Sequence, residues 1–221
     1  MHIFIGKSAS PGIVLGKALV FLAETSVIQK KTIHSIDEEI LRFQAAIEGS
    51  KAELKQVHQK ALEDFGKDKA AIFEAHLLML EDPELVTATI DKIKAEKINA
   101  ESAFDEVTRH FIKIFESMED AYLRERAADV RDVSSRVVSN LMGRKSVDLS
   151  RLAEGVVIVA HDLTPSQTAS MDKQKVLGFL TNIGGKTSHT AILARTLEIP
   201  AVLGLKDITK FVKDNDFVIF N

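Results

Sequence analysis

Cysteine is missing from all 221 residues. That removes disulfides and thiol chemistry, and it fits a reducing compartment such as the cytoplasm. Tryptophan is missing too, and tyrosine occurs once. A core must therefore be mainly aliphatic, helped by twelve phenylalanines. Charge of one sign is also lacking: 29 basic and 32 acidic side chains leave a net −3. Nucleic-acid binding favours a basic surface, so that class of partner is not expected. No apolar run approaches the roughly 20 residues that cross a bilayer, so no membrane insertion is expected. The start, Met1 to Lys7, lacks the basic region and long apolar stretch of a secretion signal. These absences predict a soluble cytoplasmic protein.

What is present falls into three zones. Residues 1–22 suggest short strands at Ile3-Phe4-Ile5 and Lys17-Ala18-Leu19-Val20-Phe21-Leu22, flanking the turn residues Ser10-Pro11-Gly12. From about Ser35 to Gly143 the pattern is helical. Ser35 with Glu38 suits a capping box. Ile36, Ile40, Phe43 and Ile47 then recur on one face of a 3.6-residue period. A second helix is predicted over about 69–80, with Pro83 just beyond, where a new helix can start. Further periodic runs carry Phe104, Val107, Phe111, Ile114 and Phe115, then Leu123, Ala127, Val130, Val133, Val137 and Leu141. Four or five such helices with short connections predict an antiparallel bundle.

After Val156 the pattern changes again. Residues 156–159, 176–180, 201–203 and 217–220 read as short buried strands. A helix over about 188–197 lies between two of them and ends before Pro200. Strands open the chain, helices interrupt, and strands resume. The expected fold is an α/β subdomain built from both chain ends (1–30 and 145–221), with an all-α bundle (31–144) inserted.

The run Gly184-Gly185-Lys186-Thr187-Ser188-His189-Thr190-Ala191-Ile192-Leu193-Ala194-Arg195 sets one histidine at a helix mouth. A phosphoryl acceptor at neutral pH has to be nucleophilic and partly unprotonated, and histidine is ordinarily so, with a pKa of ~6.5. Backbone N–H groups and the positive dipole end of a helix stabilise the anion that forms. Gly185 lets the backbone approach closely, Thr187, Ser188 and Thr190 offer hydroxyls, and Arg195 offers charge if it turns back. A lone helical histidine is more often a surface or core residue, but these neighbours favour the chemical role. Gly185-Lys186-Thr187 resembles the end of a nucleotide-binding loop. That motif requires glycine at position 180, which is Leu180.

A second candidate is Asp162-Leu163-Thr164-Pro165-Ser166-Gln167-Thr168. Loops after parallel strands converge on one sheet edge, so Thr168 or Ser166 would hydrogen-bond a ring nitrogen of His189 and fix its tautomer. Alternatively, Thr164-Pro165-Ser166 caps a short helix. His161, Asp162 and Ser166 lack the Gly-x-Ser-x-Gly turn of a hydrolase and the spacing of a metal site. Between Glu63 and Glu84 stand seven acids and two lysines, a local −5, which suits a solvated face or a basic partner. The four consecutive residues Leu77, Leu78, Met79 and Leu80 exceed what one helix face can bury.

The run 184–195 resembles the phosphohistidine signature of phosphoenolpyruvate-utilising enzymes. Three further runs are similar to one branch, the Enzyme I family of the bacterial sugar phosphotransferase system: 9–13 (Ala-Ser-Pro-Gly-Ile), 71–82 and 125–132. Asp162-Leu163-Thr164-Pro165-Ser166 matches that branch as well, and the likeness covers essentially the whole chain. It implies that His189 is phosphorylated through Nε2, that Thr168 orients it, and that the α/β part is a swivelling phosphohistidine domain. It implies that the bundle docks the carrier protein HPr through Lys69, Leu78, Met79, Glu84, Leu85, Tyr122, Leu123 and Arg126. Lys67 departs from the family, where acidic residues are familiar at that place. The family continues into a barrel that binds phosphoenolpyruvate with Mg2+ and forms the dimer. The chain ending at Asn221 is thus expected to be a monomeric fragment without its own metal or cofactor. It would exchange phosphoryl groups with HPr but not phosphorylate itself from phosphoenolpyruvate. The resemblance leaves two alternatives: the swivelling domain of a pyruvate phosphate dikinase or phosphoenolpyruvate synthase, and a non-catalytic HPr-docking module.

Overall fold

A computed structural model describes residues 2–21, 28–144, 149, 152, 154–185 and 188–221. The chain forms two compact units, residues 1–26 with 148–221, and residues 27–147.

The second unit is helical: α1 (Ile36–Phe65), α2 (Lys67–Glu81), α3 (Pro83–Glu96), α4 (Ala100–Glu116) and α5 (Ala121–Leu141). The Glu38 N–H donates to Ser35 Oγ at 3.3 Å, and Asp37, Glu38 and Glu39 complement the dipole of the first turn. At Gly66 the chain reaches φ 81°, which only glycine adopts freely, and α1 gives way to α2. Asp82 caps α3 by accepting the Glu84 N–H at 2.9 Å, with Pro83 in the first turn. Phe43 and Phe104 meet at the centre, 5.6 Å between centroids. Leu54, Ala61, Ala70, Phe73, Leu80, Ile93 and Val137 fill the rest of the core. Arg42 knots three helices by donating to Glu39, Glu101 and the Leu141 carbonyl.

The other unit holds β1 (Lys7–Ser10), β2 (Val14–Phe21), β3 (Val156–Ala160), α6 (Pro165–Ser170), β4 (Val176–Thr181), α7 (His189–Thr196), β5 (Ala201–Leu203), α8 (Ile208–Phe211) and β6 (Phe217–Phe220). They form one six-stranded sheet in the order β1-β5-β4-β3-β2-β6. The four inner strands are parallel, and each edge strand is antiparallel to its neighbour. β3 is buried throughout, hence its unbroken run of apolar residues. One face packs Ile158, Ala160, Phe179 and Leu203 against Met171, Ala191 and Ala194. The other packs Val157, Val159, Leu180 and Val202 against Ile208 and Phe4.

Two expectations are corrected. The first strand is β1 at Lys7–Ser10 rather than Ile3-Phe4-Ile5. Pairing with β5 begins only at Lys7, while Ile3 and Ile5 are exposed and Phe4 packs on Phe211. β6 is a half-exposed edge strand, with Phe217 and Ile219 each 72% exposed, because nothing described covers one of its faces.

Candidate functional site

The candidate site lies where the loops after β3, β4 and β5 meet α7. Gly184 takes φ 112°. The Gly185 carbonyl then accepts both the Ser188 N–H (3.0 Å) and Ser188 Oγ–H (2.8 Å). Ser188 Oγ in turn accepts the Ala191 N–H at 3.3 Å and caps α7. This places His189 in the first position of the helix, at its positive end. Among the described residues no atom comes within 4 Å of where a Cβ on Gly185 would stand, so its backbone is open to close approach on that side. Thr187 and the side chain of His189 lie outside the described residues.

The structure gives two of the expected hydroxyls structural tasks. Ser188 spends its proton on Gly185 and its lone pair on the cap. Thr190 is buried and donates to the Leu163 carbonyl at 3.2 Å, which joins α7 to the loop after β3. Arg195 stands in the last turn of α7 and donates from Nη1 to the Ala9 carbonyl at 3.2 Å. That bond takes one of the five N–H donors of the guanidinium.

The loop after β3 leads into a full capping box. Thr164 Oγ1 accepts the Gln167 N–H (3.3 Å), and Gln167 Oε1 accepts the Thr164 N–H (2.9 Å). Thr168 is buried on α6, and its hydroxyl donates to the carbonyls of Thr164 (3.0 Å) and Pro165 (2.9 Å). With its single proton so used, Thr168 Oγ1 can act toward an N–H donor only as an acceptor. Asp162 Oδ1 accepts the Leu163 N–H at 2.8 Å.

One polar node escaped the sequence. Buried Asn182, next after β4, accepts the Thr209 N–H on Oδ1 (3.1 Å) and donates from Nδ2 to Thr209 Oγ1 (2.8 Å). Its Nδ2 also lies 3.2 Å from His161 Nδ1. Because the Thr209 N–H fixes the amide orientation, His161 Nδ1 is the acceptor and Nε2 carries the ring proton. The node braces the loops after β3, β4 and β5. The Ile183 N–H adds a bond to the His161 carbonyl at 3.1 Å. Its only sequence signal is a polar residue directly after a buried strand.

In the helical unit, Lys69 and Leu78 are exposed on α2, Leu78 to 68%, and Met79 is half-buried. Leu77 is also half-buried and Leu80 is buried, so the four-residue apolar run is shared between core and surface. Glu84 is exposed at the start of α3. Leu85 is only 7% exposed and lines the core with Thr89 and Ile93, one turn apart. On α5, Leu123 is exposed and Arg126 pairs with Asp129 at 2.9 Å. The side chain of Tyr122 lies outside the described residues. Among the described residues, no three His, Cys, Asp or Glu side chains stand together to hold a metal. No described helix is long and apolar enough to cross a membrane.

Comparison with known proteins gives the family. Residues 5–126 match the profile described as PEP-utilising enzyme, N-terminal, and residues 152–221 match PEP-utilising enzyme, mobile domain. The phosphoenolpyruvate-protein phosphotransferase of Geobacillus stearothermophilus is 50% identical over 97% of this chain, and that of Mycoplasma capricolum 48% over 96%. The chain spans 37% of the length of these two relatives. A solution structure of Enzyme I superposes with a TM-score of 0.84 at 48% identity, covering 99% of this chain and 89% of the other. The N-terminal domain of a nitrogen-type Enzyme 1 shares the fold at 21% identity and a TM-score of 0.67, with 98% and 93% covered. By the profile across its N-terminal half and the close likeness to the Enzyme I structure, the chain belongs to the PEP-utilising enzymes.

Proposed function

We propose that His189 carries a phosphoryl group, taken from phosphoenolpyruvate in the whole protein and passed to a histidine of HPr during sugar uptake. The observation that carries this reading is the placing of His189 in the first position of α7, capped by Ser188 and preceded by the open backbone of Gly185. The names of the close relatives support it. On this reading the sheet unit is a swivelling phosphohistidine domain. The helical unit docks HPr through Lys69, Leu78, Met79, Glu84, Tyr122, Leu123 and Arg126. The cytoplasm is the fitting location for such a relay.

The transfer balances simply. A ring nitrogen of His189 attacks phosphorus with its lone pair, the bond to the leaving atom breaks, and that atom keeps the bonding electrons. With HPr the leaving atom is a ring nitrogen; with phosphoenolpyruvate it is the enol oxygen. Thr168 Oγ1, its own proton held by two carbonyls, accepts the other ring N–H and keeps the attacking nitrogen unprotonated. The positive end of α7 and the charge of Arg195 favour the anion. Mg2+ would neutralise phosphate charge in the phosphoenolpyruvate step. The described residues offer it no cluster, so no step here passes through it.

The test is incubation with phosphorylated HPr. The parent chain should take up the label and His189→Ala should take up none. Equal labelling of the two chains overturns the assignment, and stable binding without transfer replaces it with a docking module.

A further inference from the structure

The helical unit buries a charged cluster that phosphoryl transfer, as described, leaves unused. His76 on α2 is fully buried. Its Nε2 lies 3.4 Å from Asp129 Oδ1 and its Nδ1 3.8 Å from Asp132 Oδ2, both on α5. Phe73 meets the ring edge-on, 5.8 Å between centroids. Each ring nitrogen thus faces a carboxylate. Asp129 Oδ2 accepts the Nη1–H of Arg126 at 2.9 Å.

Burying charges is a costly way to join two helices, because apolar side chains of similar volume often do it as well or better. The cluster does something an apolar contact does not: it fixes a guanidinium. His76, Asp129 and Arg126 form a chain from the core outward, and Arg126 is the member nearest solvent, its side chain 26% exposed. An arginine carries about 2 kcal/mol of rotamer entropy, so holding it in advance lowers the cost of meeting a partner.

We infer that Asp129, itself held by His76, is a positioning residue for Arg126 on the face that meets HPr. This rests on the docking role proposed above. It makes Arg126 a preset contact rather than a side chain ordered on encounter.

The experiment measures exchange of the chain with phosphorylated HPr. Asp129→Asn should raise KM about tenfold while kcat stays within about twofold. Asp132→Asn disturbs the same cluster but leaves the Arg126 pair, so it should lower the melting temperature with KM nearly unchanged. In an Arg126→Ala background, Asp129→Asn should add nothing to KM. The inference is overturned if Asp129→Asn leaves KM unchanged, if Asp132→Asn raises it equally, or if the effect survives in Arg126→Ala. Should Asp129→Asn not fold, Asp129→Glu keeps the charge, shifts the carboxylate by one methylene, and gives the same split. If the parent chain exchanges nothing with phosphorylated HPr, the docking role itself fails. Positioning is then read without a partner, from the relaxation of the Arg126 Nε–H signal, which Asp129→Asn should loosen and Asp132→Asn should not. Equal relaxation in the two variants overturns it.

Discussion

The two units handle buried polarity in opposite ways. The helical unit uses ions: His76 stands between Asp129 and Asp132, with Arg126 behind. The sheet unit uses a neutral amide: Asn182 joins His161 to Thr209. Both nodes join pieces far apart in sequence, α2 to α5 in one, three strand ends in the other. The difference lies in what a lost partner costs. A buried carboxylate without its counter-ion is far worse than an unsatisfied amide or ring nitrogen. The ionic node therefore holds one arrangement tightly. The neutral node keeps the loops beside His189 joined without adding charge beside the expected phosphoryl group.

Deletions in each node test that contrast. His76→Leu keeps the volume and removes the ring that faces Asp129 and Asp132; urea unfolding of the helical unit should show a loss of about 3–5 kcal/mol. Asn182→Ala leaves the Thr209 N–H and His161 Nδ1 unpaired, and the sheet unit should lose about 1–3 kcal/mol in the same assay. Equal losses would remove the distinction. The smallest expected effect is in pH. Burial pushes the Asp129 carboxyl up, but the bond and charge of His76, and then those of Arg126, outweigh it and hold the group below its ordinary range. A carboxyl lowered on folding adds stability above its unfolded pKa of about 3.9, and that stability is lost as pH falls through the lower folded value. The helical unit should therefore weaken below about pH 4. Asp129→Asn should flatten that acid limb, and an unchanged limb would show that the carboxyl is not held by its partners.

Much of this was legible in the sequence because period and punctuation agreed. The helices follow their apolar spacing and start where Ser35 and Asp82-Pro83 cap them. β6 misled because an apolar run gives no sign of which faces are covered. The burial of Leu85 follows from its spacing, since Leu85, Thr89 and Ile93 share one inward face of α3. His189 is legible through its neighbours. Asn182, Thr209 and the pairing of His76 with Asp129 are not: each needs partners that only folding brings together. A lone asparagine or a histidine within an apolar helix carries no local pattern.

The register of the sheet has a consequence in time. β2 pairs with β3 through Lys17 and Val156, about 140 residues apart, whereas α1 packs on α2 and α4 on α5, each its neighbour in sequence. Synthesis at about 5–20 residues per second leaves β2 waiting roughly 7–28 s for its partner. During that interval Val14, Ala18 and Phe21 have no sheet to enter, while the helices can already close on one another. The helical segment can thus close before the strands on either side of it pair. The strands that frame His189 therefore pair only after the helices between them can have closed.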